Sequence, residues 1–278
     1  MDLNWLQYIL YGFVSGLTDI LPVSAQAHRA LLLKFFGAKG SSDLLSLMIH
    51  FALVCALYFS CSGHIIRMSR ARRLSRIPKR KRKRPLDTRS LMDLSLLKTM
   101  LVPVILGMLL YPYVEKMQSN LALIALFLFL NGIILYAPQF LPTGNRDSRN
   151  LSRVEGLLMG LGGAASVLPG VSAMGTATAI GSVCGVDRSY GLNMALLMNL
   201  FVNVGFLIHD ALGITSAGLE PLSFMLILQY LFTAVAAFGA AMLGIRVMRN
   251  LASNNGCSPI GLYCFGLALF TFILNLMA

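Results

Sequence analysis

Residues 19–25 read DILPVSA, and residues 166–173 read SVLPGVSA. Allowing one inserted glycine, Leu-Pro-Val-Ser-Ala recurs about 147 residues further on, close to half the chain. Each copy interrupts an apolar stretch near its middle. The first stretch, 3–36, breaks at Leu21-Pro22, and the second, 154–185, breaks at Leu168-Pro169-Gly170. Proline lacks the backbone N–H and clashes with the preceding turn, so a helix stops there. The halves are about 13 to 18 residues long, short of the roughly 20 that cross a bilayer core. Each stretch therefore predicts a re-entrant helical hairpin.

Six other segments are long and apolar enough to span: 44–62, 91–113, 120–141, 189–213, 223–248 and 259–277. Three follow each hairpin. The predicted fold is an all-α polytopic membrane protein of two repeats, 1–141 and 142–278, each a hairpin plus three spans. An odd number of crossings per repeat makes the repeats inverted. Composition agrees: 56% of residues are hydrophobic, mean hydropathy is +0.72 and 12% are charged, against roughly 25% charged in soluble domains. Soluble, disordered, collagenous and coiled-coil classes are excluded. The N-terminus lacks a basic leader and a small-residue cleavage site, so it reads as retained structure.

The formal net charge of +12 is concentrated in one place. Twelve Lys and Arg residues lie between Arg67 and Arg89, with Asp87 the single acid among them. No aromatic residues or fold module accompany this run, which argues against nucleic acid. A basic block beside a span suits anionic lipid headgroups and anchors orientation. Loop 63–90 is then cytoplasmic. Loop 142–153, with Arg146, Arg149 and Arg153 against Asp147, and stretch 246–258, with Arg246 and Arg249, fall on the same side. Loops 114–119 and 214–222 hold only Lys116 as a basic residue. Both termini are placed outside, the first hairpin opens outward, the second opens to the cytoplasm, and the two proline turns meet near the midplane. Cys55, Cys61, Cys184, Cys257 and Cys264 show no metal-site spacing. Homo-oligomerisation is left open.

Broken helices at the interface of inverted repeats are a common way to build a midplane substrate site. Half-helix N-termini offer free N–H groups and a positive dipole end, which suits a phosphate or carboxylate. The alternative is a pair of proline kinks with no ligand. Ionisable groups inside membrane segments are costly and therefore candidates for function. Asp19 and His28 flank the first turn and are expected to approach each other. Asp19 reads as orienting the imidazole, as binding a metal, or as an N-cap of the second half-helix. His28 reads as a general acid or base, or as an interfacial side chain. Arg29 is expected to snorkel. Ser172, after Pro169-Gly170, is a candidate ligand contact. His50 is expected to face the bundle interior through a structural hydrogen bond. Asn193, Asn199 and Asn203 read as interhelical contacts on one helix face, and His209 and Asp210 as interfacial.

At both hairpins the sequence resembles the bacterial undecaprenyl-diphosphate phosphatase family, the bacitracin-resistance membrane proteins. The family's first motif runs approximately E-G-x-T-E-x-L-P-V-S-S-x-G-H, where residues 15–28 read SGLTDILPVSAQAH. Its second, P-G-x-S-R-S-G, is matched by PGVSAMG at 169–175, and a G-V-S-R-like segment by Gly185-Val186-Asp187-Arg188. His50 falls where the family has a His or Gln within a span. The departures are specific. The first motif glutamate is Ser15, the second is shortened to Asp19, and the serine after Pro-Val-Ser is Ala25. The arginine thought to hold the diphosphate is Ala173, and a later glutamate is Asn193.

The resemblance implies a bacterial plasma-membrane enzyme that cleaves a polyprenyl diphosphate to the monophosphate, recycling a lipid carrier for cell-wall synthesis. It implies His28 and Asp19 as catalytic groups and Ser24, Ser172, Gly170 and Gly175 as substrate contacts. It also implies a divalent cation, Mg or Ca, with Asp19 as a ligand. The alternative is a homologue that binds or translocates a polyprenyl phosphate without cleaving it. A third reading is a small-solute or ion transporter on the same scaffold.

Overall fold

The computed structural model describes residues 3–38, 40–217, 223–253 and 258–277. Cys257 and parts of loops 214–222 and 246–258 lie outside them. Ten α-helices are present among the described residues: α1 Trp5–Ile20, α2 Ala25–Phe35, α3 Asp43–Ser75, α4 Thr88–Val114, α5 Leu121–Tyr136, α6 Arg153–Ala164, α7 Ala173–Val183, α8 Arg188–Ala217, α9 Phe224–Ser253 and α10 Ser258–Leu276. Six of these, α3, α4, α5, α8, α9 and α10, are long and apolar enough to cross a membrane. The chain is a polytopic, all-α membrane protein. Helix α3 runs 13 residues past the expected end of its span, so the basic segment begins as an exposed helix that stops at Ser75.

The two halves have the same element order, two short helices followed by three long ones. Their packing partners correspond when the halves are exchanged: α1 lies on α9 as α6 lies on α4, and α3 meets α9 as α8 meets α4. The pairs α3–α8 and α5–α10 map onto themselves. Small residues make the hairpin contacts close. A Cβ at Gly12 or Gly16 of α1 would collide with the carbonyl oxygens of Thr233 or Ala237 on α9. On α6, a Cβ at Gly160 would strike the Met100 carbonyl of α4. Glycines four apart (Gly12 and Gly16, Gly156 and Gly160) thus let backbones touch where lipid gives no hydrophobic drive for association.

The proline turns meet in the centre of the molecule. Ser24 caps α2 at φ +68, the sole non-glycine residue at positive φ among those described. That backbone is costly for a residue with a Cβ and persists only where its surroundings hold it. The hold is visible: the Gly170 N–H donates to Ser24 Oγ at 3.1 Å. Asn131, fully buried on α5, joins both turns. Its Nδ2 donates to the Pro22 carbonyl at 3.1 Å, and its Oδ1 accepts from the Ser172 N–H at 3.1 Å. Backbone groups freed by the two prolines are thereby satisfied away from water.

At the end of the bundle near the basic segment, the 142–152 connection is pinned by polar contacts. Arg146 binds Glu155 at 2.5 Å, the Cys184 carbonyl at 2.7 Å and the Asn150 carbonyl. Asp93 accepts from Ser148 Oγ at 2.5 Å and from Tyr190 Oη at 2.8 Å.

Candidate functional site

A polar cavity of about 860 Å³ opens at the other end of the bundle, among α1, α2, the start of α3, and the ends of α4 and α8. Its wall includes Asp19, Ala25, Gln26, Arg29, His50 and Asp210, with Lys34, Lys116, Asp43 and Glu115 also on it. His50 lies about 25 Å along α3 from Arg67, at 1.5 Å per residue. The cavity and the basic segment therefore occupy opposite ends.

Arg29 does not snorkel. It projects from α2 into a buried chain of hydrogen bonds. Its Nη1 donates to His50 Nε2 at 2.9 Å, and His50 Nδ1 lies 2.6 Å from Asp210 Oδ2. A guanidinium can only donate, so His50 Nε2 is the acceptor and the imidazole proton sits on Nδ1, donated to Asp210. The imidazole is thus the neutral Nδ1–H tautomer, stacked on Phe206 with ring centroids 5.2 Å apart. Asp210 is 7% exposed and belongs to this chain, which corrects its reading as an interfacial residue.

Two further Arg29 nitrogens, Nε and Nη2, are buried without any hydrogen-bond partner, as are both amide atoms of Gln26. Such groups cost about 1–3 kcal/mol each when left unsatisfied, more when charged, so the wall is built for a polar occupant. The first-turn N–H groups of Ala25 and Gln26 face no intrahelical acceptor, and the positive end of the α2 dipole falls beside them.

Asp19 sits in the last turn of α1 on the same cavity. Asn199 and Asn203, one turn apart on α8, each donate Nδ2 to its Oδ2 at 3.0 Å. Those two asparagines are interhelical contacts as expected. Asn193 turns elsewhere and donates to the Ser189 carbonyl. Asp19 is not an N-cap, because Ser24 caps α2.

Asp19 and His28 do not come together. His28 faces a separate, apolar cavity of about 430 Å³ between α1, α2 and α10. Both its ring nitrogens are occupied, Nδ1 by the Ser24 carbonyl and Nε2 by Tyr263 Oη, each at 2.8 Å. Successive positions on α2 point about 100° apart, which sends Arg29 into one cavity and His28 into the other. Ser24 and Ser172 serve as helix caps, accepting from the N–H groups of Ala27 and Gly175. With Gly170 and Gly175 they form the junction between the turns and do not line the large cavity. Gly175 packs so closely on Pro22 that a Cβ would stand 2.7 Å from the proline's own.

The residues present do not fit a divalent cation. Among the described residues no three His, Cys, Asp or Glu side chains gather as a metal-ligand group. Oxygen-rich coordination is what Mg²⁺ and Ca²⁺ require. Asp19 instead receives two amide N–H donors on one oxygen and shares its cavity with a guanidinium.

His50 is buried and hydrogen-bonded in the bundle interior as expected; Arg29 and Asp210 are the site residues that motif reading missed. The signal available was the cost of an ionised group within an apolar segment; it applied to Arg29 and Asp210 as much as to Asp19.

A family model described as bacitracin resistance protein BacA matches residues 8–270. Among curated proteins, the undecaprenyl-diphosphatase of Methanobrevibacter smithii is 29% identical, covering 96% of this chain and 96% of its own length. Undecaprenyl-diphosphatase 1 of Shouchella clausii is 25% identical over 98% of this chain and 96% of that protein. The undecaprenyl-diphosphatase of Thermosipho melanesiensis is 24% identical over 96% of this chain and 98% of its own. The match runs through both proline turns and five of the long helices and into the sixth, α10, so the chain belongs to the bacitracin resistance protein BacA family.

Proposed function

We propose that this protein hydrolyses a polyprenyl diphosphate, releasing inorganic phosphate and leaving the polyprenyl monophosphate. The activity named for its relatives supports the reaction class. The observation that carries the site is the 860 Å³ cavity lined by both Arg29, two of whose buried nitrogens have no partner, and Asp19. A diphosphate head is a polyanion with many acceptor oxygens, and it satisfies the Arg29 and Gln26 donors together. Lys34 and Lys116 lie on the same wall, together with Asp43 and Glu115. The prenyl chain remains among the exposed apolar side chains of the bundle.

In the reaction a water oxygen bonds to the terminal phosphorus, and the bridging P–O bond breaks toward the prenyl phosphate. Asp19 takes the proton from the attacking water. Arg29 neutralises charge on the phosphoryl oxygens, where positioned donors are worth most in a water-poor site. The halves form inverted repeats, each a re-entrant hairpin with three spans, in agreement with the exchange of packing partners. The basic segment 67–89 faces the cytoplasm and anionic headgroups, so the cavity opens outward.

Phosphate release from undecaprenyl diphosphate by the purified protein tests the reading. Arg29→Ala is expected to lower it about 100-fold or more. A second reading, binding or translocation without cleavage, is favoured by a smaller cavity of about 170 Å³ at the opposite end, bordered by Thr178, Ser182, Asp187 and Arg188. Saturable lipid-phosphate binding with no release from wild type would select it.

A further inference from the structure

The three nitrogens of Arg29 are used unequally. Nη1 is tied to His50, while Nε and Nη2 are free of partners. Those two form the side-on edge of the guanidinium, the geometry that grips two oxygens of one phosphate or carboxylate. The Asp210–His50 pair therefore spends the one nitrogen that the grip does not need. Asp210 fixes the imidazole proton on Nδ1, so Nε2 presents a lone pair and never a competing N–H to Arg29. Phe206 stacks on one face of the ring and holds its plane. An arginine side chain free in a cavity has much rotamer freedom to lose on gripping an anion; here much of it is lost before the anion arrives.

Resting on the diphosphatase reading, we propose that Arg29, aimed by the Asp210–His50 pair, supplies the charge neutralisation at the phosphoryl oxygens and that hydrolysis proceeds without a divalent cation. Arg29 binds, and His50 and Asp210 are positioning residues that act through it. The step balances with water as the co-reactant. Its oxygen bonds to phosphorus, its proton passes to Asp19 and then to solvent, and the bridging oxygen leaves with the electron pair as polyprenyl monophosphate. The guanidinium keeps its proton throughout.

The test uses the full chain in detergent micelles with undecaprenyl diphosphate, assayed in EDTA and again with Mg²⁺ or Ca²⁺ added. The expected result is release in EDTA within about two-fold of the metal-supplemented rate. Arg29→Lys, which keeps the charge and loses the fork, should lower kcat by about 100-fold in EDTA. His50→Leu should lower kcat and raise KM. His50→Gln, whose side-chain oxygen can accept from Arg29, should recover several-fold over His50→Leu. Melting temperatures of each variant separate misfolding from loss of alignment, and the EDTA arm needs no variant. Release abolished by EDTA and restored by either cation would overturn the inference and leave the diphosphatase reading standing. Equal loss in His50→Gln and His50→Leu, with both folded, would overturn the positioning role. No release under any condition would remove the diphosphatase reading and the inference with it.

Discussion

Replacing Asn131 with leucine removes the hydrogen-bonding groups that join the two proline turns while keeping the same branched side-chain skeleton. Two buried backbone groups lose their partners: the Pro22 carbonyl and the Ser172 N–H. Orphaning a buried group costs about 1–3 kcal/mol, yet interhelical hydrogen bonds in membranes average only about 0.6, because groups in the unfolded reference state find other partners. The upper range applies to the Ser172 N–H, which lies in the turn before α7 and has no carbonyl one turn back to accept it. The carbonyl loses less, since the Cys264 thiol remains 3.8 Å away as a weak donor. About 2 kcal/mol for the first and about 1 for the second give a loss near 3 kcal/mol, or roughly a 150-fold fall in the folded-to-unfolded ratio. Reversible unfolding in mixed micelles measures this directly. Labelling of Cys264, fully buried in the native protein, reports opening at the same place. A loss under about 0.5 kcal/mol with Cys264 still protected would refute the reasoning and assign the turn junction to packing of Gly175 on Pro22.

Three other outcomes follow from the same geometry. Gly16→Ala should destabilise by about 1–3 kcal/mol, since its Cβ meets the Ala237 carbonyl, whereas Gly63→Ala, with open space around it, should stabilise α3 by up to about 1 kcal/mol; equal effects in an unfolding assay would contradict the close α1–α9 contact. Hydrogen bonding from Arg146 holds the Glu155 carboxyl down from its ordinary 4.5 to about 2, so the pair stabilises the fold above pH 4.5 and the benefit is lost as pH falls toward 2; after solvent screening the stability gap between wild type and Glu155→Gln should be about 1 kcal/mol at pH 6 and vanish by pH 2, and a gap independent of pH would sink it. His28→Gln should keep more than half of the phosphate release while Asp19→Asn loses about 100-fold or more; the reverse order would move the chemistry to the cavity beside Tyr263.

Elements and their order were legible because their causes are local. A run of about 20 apolar residues and a Leu-Pro break carry their consequences with them, and the positions of α4, α5, α8, α9 and α10 follow. The end of α3 was not legible, because Arg67–Ser75 is polar yet helical, continuing an existing helix at little cost. The convergence of side chains on each cavity was not legible for a different reason. The motif places Asp19, Ser24 and His28 close together in sequence, but which cavity each reaches depends on the rotation of α2 against α3 and α10. Asp210 stands 160 residues from its partner His50, and nothing near it in the chain announces the pairing.

The distribution of charge carries the last step. The fold has two equivalent hairpins, yet the segment between Glu155 and Asp187 has no ionisable acid or base apart from Cys184, while the first hairpin contributes Asp19 and Arg29 to one cavity. Burying an ion in a membrane protein is costly enough that it persists only where it is paired or used. Asp210 and Arg29 are paired through a neutral imidazole, and the remaining donors of Arg29 are not. Had the guanidinium served only to neutralise Asp210, a direct carboxylate fork would do so with more hydrogen bonds than the single-nitrogen link through His50. The intervening imidazole leaves the fork without a partner. The two turns therefore divide their labour: the second supports the first through Gly170, Ser172 and Asn131, and of the two it is the first that brings charged side chains to the proposed anion site.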